Sequence, residues 1–187
     1  MKYREEAEKL ASGSESAPRA YTRRRDGGAG TASPGRERLG PMASAQMTVR
    51  VPASMAGVRQ AAGELEAFAA AHGLTPDAIW SVQVALDEVL SNVVRHGYGG
   101  EGGERTVEVV FGLAAGVLEV VVVDDAPPFD PMQVPEPDTE TPIEQRKIGG
   151  LGVAITRRLM DGIEYERRDG KNRLVLRKRM AGADERG

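Results

Sequence analysis

The sequence predicts an α+β fold, a two-layer sandwich in which a mixed, mostly antiparallel sheet carries helices on one face. Three observations lead to this prediction. Short alternating or continuous apolar runs typical of strands occur among longer stretches with helical periodicity. Clusters of Gly, Pro, Asn and Asp separate these runs and keep them short. The order strand, two helices, two strands, long loop, helix, two strands favours an antiparallel-rich sheet covered by helices.

The first half of the domain contains one strand and two helices. Residues 46–51 alternate polar and apolar side chains and predict the first strand. Ser54 is a suitable N-cap for a first helix, which Gly73 ends. Thr75 is the cap of a second helix, and Pro follows it at the first helical position. The apolar stripe of this second helix continues to about His96.

The second half predicts the rest of the sheet around a long loop. Residues 106–113 alternate, and residues 117–123 are almost continuously apolar, as expected for a buried central strand. The proline-rich stretch 124–147 is irregular, and a loop of this length in a compact domain is usually functional or disordered. Residues 149–159 predict a third helix. A final hairpin is expected to turn at 169–170, an Asp-Gly pair.

Charge and composition divide the 187 residues into three parts. Residues 1–45 contain 9 Lys and Arg against 6 Asp and Glu, and they are rich in Gly, Ser and Pro. We expect this segment to be a disordered basic tail. Met42 lies just before the predicted first strand and Met47 at its beginning, so either is a candidate start of translation. Residues 46–180 are the expected domain, and residues 181–187 a disordered C-terminus.

The composition also excludes several classes of protein. The absence of Cys excludes a disulfide scaffold, a thiolate metal site and a cysteine nucleophile, and it is consistent with a reducing cytoplasm. No apolar run approaches the roughly 18 residues that a membrane span needs. The net charge of −3 gives no reason to expect direct contact with nucleic acid. We therefore expect a cytoplasmic protein that binds neither membrane nor nucleic acid.

A polar stripe on the second helix is the first candidate site. Glu88, Asn92 and His96 are four residues apart and therefore share one helix face. A carboxylate and an amide on adjacent turns suit a general base and an oxygen ligand for Mg²⁺. A solvated helix face is the simpler interpretation, although Asn is unfavourable in the middle of a helix.

Two further patterns follow the central strand. Asp124 stands where the apolar strand ends, and its carboxylate could accept a hydrogen bond from an exocyclic amine such as that of adenine. An acidic residue that merely opens a turn is the alternative. Residues 149–152 read Gly-Gly-Leu-Gly and lead into a helix, an arrangement that lets backbone amides approach phosphate closely. A glycine-rich hinge is the alternative for this segment.

Together and in this order, the three patterns resemble a known family. Residues 86–98 (Leu-Asp-Glu-Val-Leu-Ser-Asn-Val-Val-Arg-His-Gly-Tyr), 123–131 (Val-Asp-Asp-Ala-Pro-Pro-Phe-Asp-Pro) and 149–161 (Gly-Gly-Leu-Gly-Val-Ala-Ile-Thr-Arg-Arg-Leu-Met-Asp) resemble its helix, adenine and phosphate motifs. The family is that of the anti-sigma-factor serine/threonine-protein kinases, within the ATPase superfamily of histidine kinases, gyrase B, Hsp90 and MutL (GHKL). The resemblance extends over roughly residues 46–180 and implies the histidine-kinase-like ATPase fold.

The resemblance implies an ATP site that uses Mg²⁺. It assigns Glu88 as the base that activates the attacking hydroxyl, Asn92 as the Mg²⁺ ligand and Asp124 as the partner of the adenine amine. The segment 133–148 would be a lid over ATP. The other residues expected to contact the nucleotide are Ala126, Arg146, Lys147, Gly149, Gly150, Leu151 and Gly152.

The resemblance also implies a reaction and partners. Such kinases transfer phosphate to a Ser or Thr of a small STAS-type anti-anti-sigma protein, bind a sigma factor and form homodimers. The chain departs from the family pattern at two places: Ala126 stands where Gly is usual, and the last strand, around residues 171–174, lacks a Thr. These departures motivate the alternative hypothesis, a nucleotide- or protein-binding regulatory module without phosphoryl transfer.

Overall fold

The computed structural model describes residues 45–100, 102–135 and 151–180. In chain order the elements are β1 (Ala45–Pro52), α1 (Met55–Ala71), α2 (Pro76–Asn92), β2 (Thr106–Ala114), β3 (Val117–Asp124), α3 (Leu151–Leu159), β4 (Gly162–Arg168) and β5 (Lys171–Arg179). The five strands form one sheet in the order β1-β2-β3-β5-β4. All pairings between these strands are antiparallel. The predicted α+β sandwich is confirmed, and its sheet is antiparallel throughout the described ranges rather than mixed.

The helices cover one face of the sheet. Apolar side chains from alternate strand positions pack against the apolar stripes of the three helices in a single core, because successive strand residues point to opposite faces. Its largest fully buried members include Leu65, Ile79, Leu86, Phe111 and Leu118. A smaller buried cluster lies on the opposite face of the sheet and consists of Val110, Val121, Val123 and Val175.

The predicted starts of the first two helices are confirmed. The Ser54 hydroxyl accepts a hydrogen bond from the backbone N–H of Gly57 at 3.3 Å. The Thr75 hydroxyl does the same for Ala78, also at 3.3 Å. Each cap satisfies one of the N–H groups that have no partner within a helix. Gly73, which follows α1, adopts a left-handed φ of 70°, the conformation expected of a glycine that ends a helix.

The end of α2 differs from the prediction in its local geometry. Helical backbone continues past Asn92 as a π-helical turn, Val93–Gly97, and the N–H of Tyr98 bonds to the carbonyl of Val93 at 3.0 Å. His96 lies within this turn and is exposed.

Several predictions concern residues outside the described ranges. The expected tail is among them except for Ala45, which already belongs to β1. The expected C-terminal segment 181–187 and most of the 133–148 segment are also outside these ranges. So are four of the predicted nucleotide contacts: Arg146, Lys147, Gly149 and Gly150. Among the helices that the structure describes, none combines the length and hydrophobicity needed to cross a membrane.

Replacement of two glycines of α1 by alanine should change the stability of the protein in opposite directions. A Cβ added at Gly57 would lie 2.9 Å from the backbone carbon of Pro52 and closer still to its oxygen. We expect Gly57→Ala to lower the free energy of unfolding by about 1–3 kcal/mol, because β1 and α1 must separate. A Cβ at the exposed Gly63 would meet nothing within 4 Å. Gly63→Ala should raise the free energy of unfolding by about 0.5–1 kcal/mol.

Urea denaturation followed by circular dichroism measures both changes. Equal effects of the two substitutions would contradict the close approach of Gly57 to Pro52.

Candidate functional site

The packing of α2 beside α3 brings together two of the sequence motifs. A Cβ added at Gly152 would lie 3.0 Å from Cδ of Glu88 and would collide with its Oε2. Only a glycine allows the carboxylate to lie this close to the α3 backbone. Glu88 therefore lies beside the first turn of α3, where N–H groups have no partner within the helix and the helix dipole favours negative charge.

Asn92 lies one turn beyond Glu88 on α2 and is half-buried. Its side chain makes no hydrogen bond within the described ranges, so its amide oxygen is available to a ligand. These ranges hold no group of three or more His, Cys, Asp or Glu arranged to bind a metal. Mg²⁺ often takes only one or two protein oxygens when phosphates and water complete its shell. The donors present fit an ion of that kind.

Asp124 is buried at the end of β3, with 6% of its surface exposed. Its Oδ1 accepts hydrogen bonds from the N–H of Ala126 at 2.9 Å and from Nδ2 of Asn172 at 2.8 Å. Its Oδ2 accepts none of the hydrogen bonds between described residues. Burial raises the pKa of the Asp124 carboxyl above its ordinary range, and the two donors to Oδ1 act in the opposite direction. The site thus offers one free carboxylate oxygen.

The backbone at Ala126 explains how alanine is tolerated where the family usually has glycine. Ala126 is not among the residues with positive φ, so its Cβ causes no backbone strain. A Cβ added at Gly97 would lie 2.8 Å from the Ala126 Cβ. The methyl group is therefore buried in space that the missing side chain of Gly97 leaves open. The loop after β3 packs directly on the end of the π-helical turn.

A second polar cluster, formed by Tyr98, Arg105 and Asp125, contacts the same loop. The Tyr98 hydroxyl donates to Oδ1 of Asp125 at 2.6 Å, and the Asp125 N–H donates back to the hydroxyl at 3.2 Å. The Arg105 guanidinium lies 5.2 Å from the centre of the Tyr98 ring. Burial, with the Asp125 hydrogen bond second, raises the pKa of Tyr98, so the phenol stays protonated.

A cavity of about 440 Å³ adjoins this cluster and is lined by Gly97, Tyr98, Gly102, Gly103, Arg105 and Pro127. None of Glu88, Asn92 and Asp124 lines it, so the cavity lies beside the loop after β3 and does not include these three candidate site residues.

Hydrogen bonds from Arg157 connect the later part of the same loop to α3. Nη2 of Arg157 donates to the carbonyl of Val134 at 2.8 Å and also to that of Pro131. Asp130 caps the short 3₁₀ turn Pro131–Gln133 through a hydrogen bond to the N–H of Met132. The segment between β3 and residue 135 is therefore held at its start by the sheet and at its end by α3.

Comparison with known proteins identifies the family. The model of a family described as "Histidine kinase-like ATPase domain" matches residues 51–178, more than half of the chain. The chain belongs to this family. The predicted resemblance to the anti-sigma-factor serine kinases of the GHKL superfamily is confirmed as well.

Individual relatives are serine-protein kinases. The chain is 31% identical over 109 residues to "Serine-protein kinase RsbW" of Bacillus thuringiensis (strain Al Hakam). The matching region covers 56% of this chain and 67% of that protein. The chain is 32% identical, with the same coverage, to the protein of that name from Bacillus cereus (strain ATCC 10987 / NRS 248).

A solved structure shares the fold. The RsbU and RsbW domains of Rv1364c from Mycobacterium tuberculosis match with a TM-score of 0.52 and 19% identity. The match covers 73% of this chain and 33% of that longer chain. At this identity the likeness extends to the fold alone.

Sequence reasoning missed the residues that hold Asp124. Asn172 pairs with Asp124 in the β3–β5 register, and Arg167 pairs with Asn172 in the β4–β5 register. Asn172 is only 6% exposed, so a polar residue at the start of the predicted last strand was the available signal. Arg167 is half-buried on the edge strand β4 and gave no such signal. Gly97 was also missed, because its neighbour Ala126 is distant in sequence.

The contact between Gly97 and Ala126 predicts a compensating pair of substitutions. Gly97→Ala should lower the free energy of unfolding by about 1–3 kcal/mol, because two methyl groups would then compete for one space. Ala126→Gly in the same chain should recover most of that loss, although Ala126→Gly alone also costs stability. A double-mutant cycle in urea measures the coupling. Strict additivity of the two changes would rule out the contact.

Proposed function

We propose that this protein is an ATP-dependent serine/threonine-protein kinase that acts as an anti-sigma factor and phosphorylates a STAS-type anti-anti-sigma protein. The observation that carries the proposal is the contact of the Glu88 carboxylate with Gly152 at the start of α3. It brings a proton acceptor next to a helix N-terminus of the kind that binds phosphate. The serine-protein kinase relatives support the same activity.

ATP and Mg²⁺ are the proposed cofactors. The side-chain oxygen of Asn92 would bind Mg²⁺, and the ion would neutralise charge on the phosphates. Oδ2 of Asp124 would accept a hydrogen bond from the adenine amine, and Ala126 would border the base. The backbone of Leu151 and Gly152 would contact phosphate. The same role is proposed for Arg146, Lys147, Gly149 and Gly150, which lie outside the described ranges.

Glu88 is the proposed base of the transfer. The hydroxyl oxygen of the partner's Ser or Thr attacks the γ-phosphorus, its proton passes to the Glu88 carboxylate, and the bond to ADP breaks. Phosphoryl transfer depends mainly on positioning and charge neutralisation, so the carboxylate must be held in place rather than be strongly basic. The close fit against Gly152 restricts its position.

The proposed partners are the STAS-type protein, a sigma factor and a second copy of this chain. They follow from the family to which the chain belongs, and the proposal sets them in the cytoplasm. The alternative is a binding module that holds nucleotide or protein without phosphoryl transfer. It differs from the kinase in lacking the transfer step, so assays of nucleotide binding and of phosphate transfer by the unaltered protein separate the two.

Replacement of the proposed base should abolish transfer without preventing binding. Glu88→Gln keeps the shape of the side chain and should lower the rate of phosphate transfer from γ-³²P-ATP to a STAS protein about 10²–10⁴-fold. ADP affinity, measured by calorimetry, should change little. Asp87→Asn, at the exposed neighbouring position, is the matched control and should leave the rate unchanged.

The outcomes separate the hypotheses. Transfer that survives Glu88→Gln would exclude Glu88 as the base. Nucleotide binding by the unaltered protein without any transfer would favour the binding module. No binding of ATP with Mg²⁺ would exclude both ATP-dependent functions.

Nucleotide affinity should fall as the pH is lowered. An ionised Asp124 would accept the adenine amine more strongly than a protonated one, and burial raises the pKa of Asp124, with Asp125 adding to the rise and Arg167 opposing it. Affinity is therefore lost as the pH drops through this raised pKa. The stability of the nucleotide-free protein responds in the opposite direction, because the folded state holds the proton of Asp124 more tightly than the unfolded chain.

Calorimetric titrations with ATP from pH 7 downwards measure the loss. Ionisation of the phosphates affects the unaltered protein and Asp124→Asn alike, so the difference between them isolates Asp124. Identical pH profiles for the two proteins would contradict the assignment.

A further inference from the structure

We propose that Asn172 is a positioning residue for base recognition, held by Tyr165 and Arg167 so that it fixes the Asp124 carboxylate with one oxygen free for the exocyclic amine. The inference rests on the proposed function, since it concerns the same nucleotide site. It deepens that function by assigning base selectivity to a side-chain network on β4 and β5 rather than to Asp124 alone.

The hydrogen bonds of Asn172 leave it no capacity for the nucleotide. Its Nδ2 donates to Oδ1 of Asp124 at 2.8 Å and to the carbonyls of Ala126 and Pro127, each at 3.2 Å. An Asn amide has two N–H groups and one carbonyl oxygen. Both N–H groups are therefore used within the protein, and Asn172 cannot donate to a base directly.

The oxygen of Asn172 is used as well. Oδ1 accepts from the hydroxyl of Tyr165 at 2.9 Å and from Nη1 of Arg167 at 2.7 Å. The two donors determine which end of the amide faces Asp124, because they require an acceptor on the β4 side. Reversal of the amide would turn its oxygen towards the Asp124 carboxylate and leave buried groups unpaired.

Arg167 extends the network to the loop itself. Its Nη1 also donates to the carbonyl of Ala126 at 2.9 Å. The loop from Asp124 to Pro127 is thus held from the sheet by Asn172 and Arg167, and from the π-helical turn after α2 by the packing of Gly97 on Ala126. Both donors that the described residues supply to the Asp124 carboxylate are on Oδ1, which leaves Oδ2 for a donor from outside these ranges, such as an exocyclic amine.

A pair of ligands that differ only in the amine tests this role. Purine riboside triphosphate lacks the 6-amino group of ATP and is otherwise the same molecule. The unaltered protein should bind ATP about tenfold or more tightly than this analogue, the range expected for a hydrogen bond to a charged group. Asn172→Leu should weaken ATP binding by about the same factor and leave binding of the analogue within about twofold.

Two further variants keep the test decisive if Asn172→Leu folds poorly. Arg167→Gln retains Asn172 and removes one donor to its oxygen, and it should reduce the preference for ATP by a smaller factor. Arg168→Gln is the matched control, because it removes the same charge from an exposed neighbouring position. Arg168 forms an ion pair with Asp169 at 3.5 Å. This variant should prefer ATP over the analogue as strongly as the unaltered protein does. Calorimetry gives all affinities, and thermal unfolding establishes that each variant is folded.

The results distinguish the inference from the proposed function. Equal weakening of ATP and analogue in Asn172→Leu and Arg167→Gln would show a merely structural role and overturn the inference, while nucleotide binding itself would stand. An unchanged preference in both variants would also overturn it. Failure of the unaltered protein to bind either ligand would instead refute the nucleotide site and the inference with it.

Discussion

The burial of one carboxylate at the end of β3 is the constraint on which the candidate site depends. A buried charge is strongly unfavourable unless hydrogen bonds compensate for lost water. Asp124 receives two such bonds at a single oxygen, one from its own loop and one from Asn172 on β5. The antiparallel pairing of β3 with β5 must therefore keep this register, since a shift of one residue would turn Asn172 to the other face of the sheet. The hydrogen bond that stabilises the Asp124 carboxylate therefore depends on β5 being the neighbour of β3 in the sheet.

The helix α2 connects the two halves of the site. Glu88 and Asn92 lie on its last turns, and the π-helical turn that follows carries Gly97 to the loop after β3. Because a helix is rigid over this length, the separation between the proposed base and the proposed adenine partner is determined by backbone geometry rather than by flexible side chains. A π-helical turn is rare in proteins, and here its last residue, Gly97, packs on Ala126 of the loop after β3.

Features that depend on neighbours in sequence were predictable, and contacts across the fold were not. Ser54, Thr75 and the left-handed Asp169-Gly170 turn could be assigned because caps and tight turns involve residues only a few positions apart. The pairing of Asn172 with Asp124 joins residues 48 positions apart. It depends on a strand register that the periodicity of a single sequence leaves open, so the absence of Thr from residues 171–174 gave no indication of this contact. The site roles proposed from the motifs remain predictions.

The two carboxylates of the site have different environments, and this implies different contributions to catalysis. Asp124 is immobilised and would bind the adenine equally in the ground state and in the transition state, so its interactions would lower KM without raising kcat. Glu88 lies against the start of α3, and as the proposed base it would accept the proton of the attacking hydroxyl only as the phosphoryl group moves. Interactions that exist only in the transition state change kcat. The hydrogen bonds that hold Asp124 would therefore favour recognition, whereas Gly152 would favour reaction, because it allows a carboxylate close to the proposed phosphate site. The network around Asn172 and the backbone at Gly152 would each determine the position of a negative charge beside the proposed nucleotide.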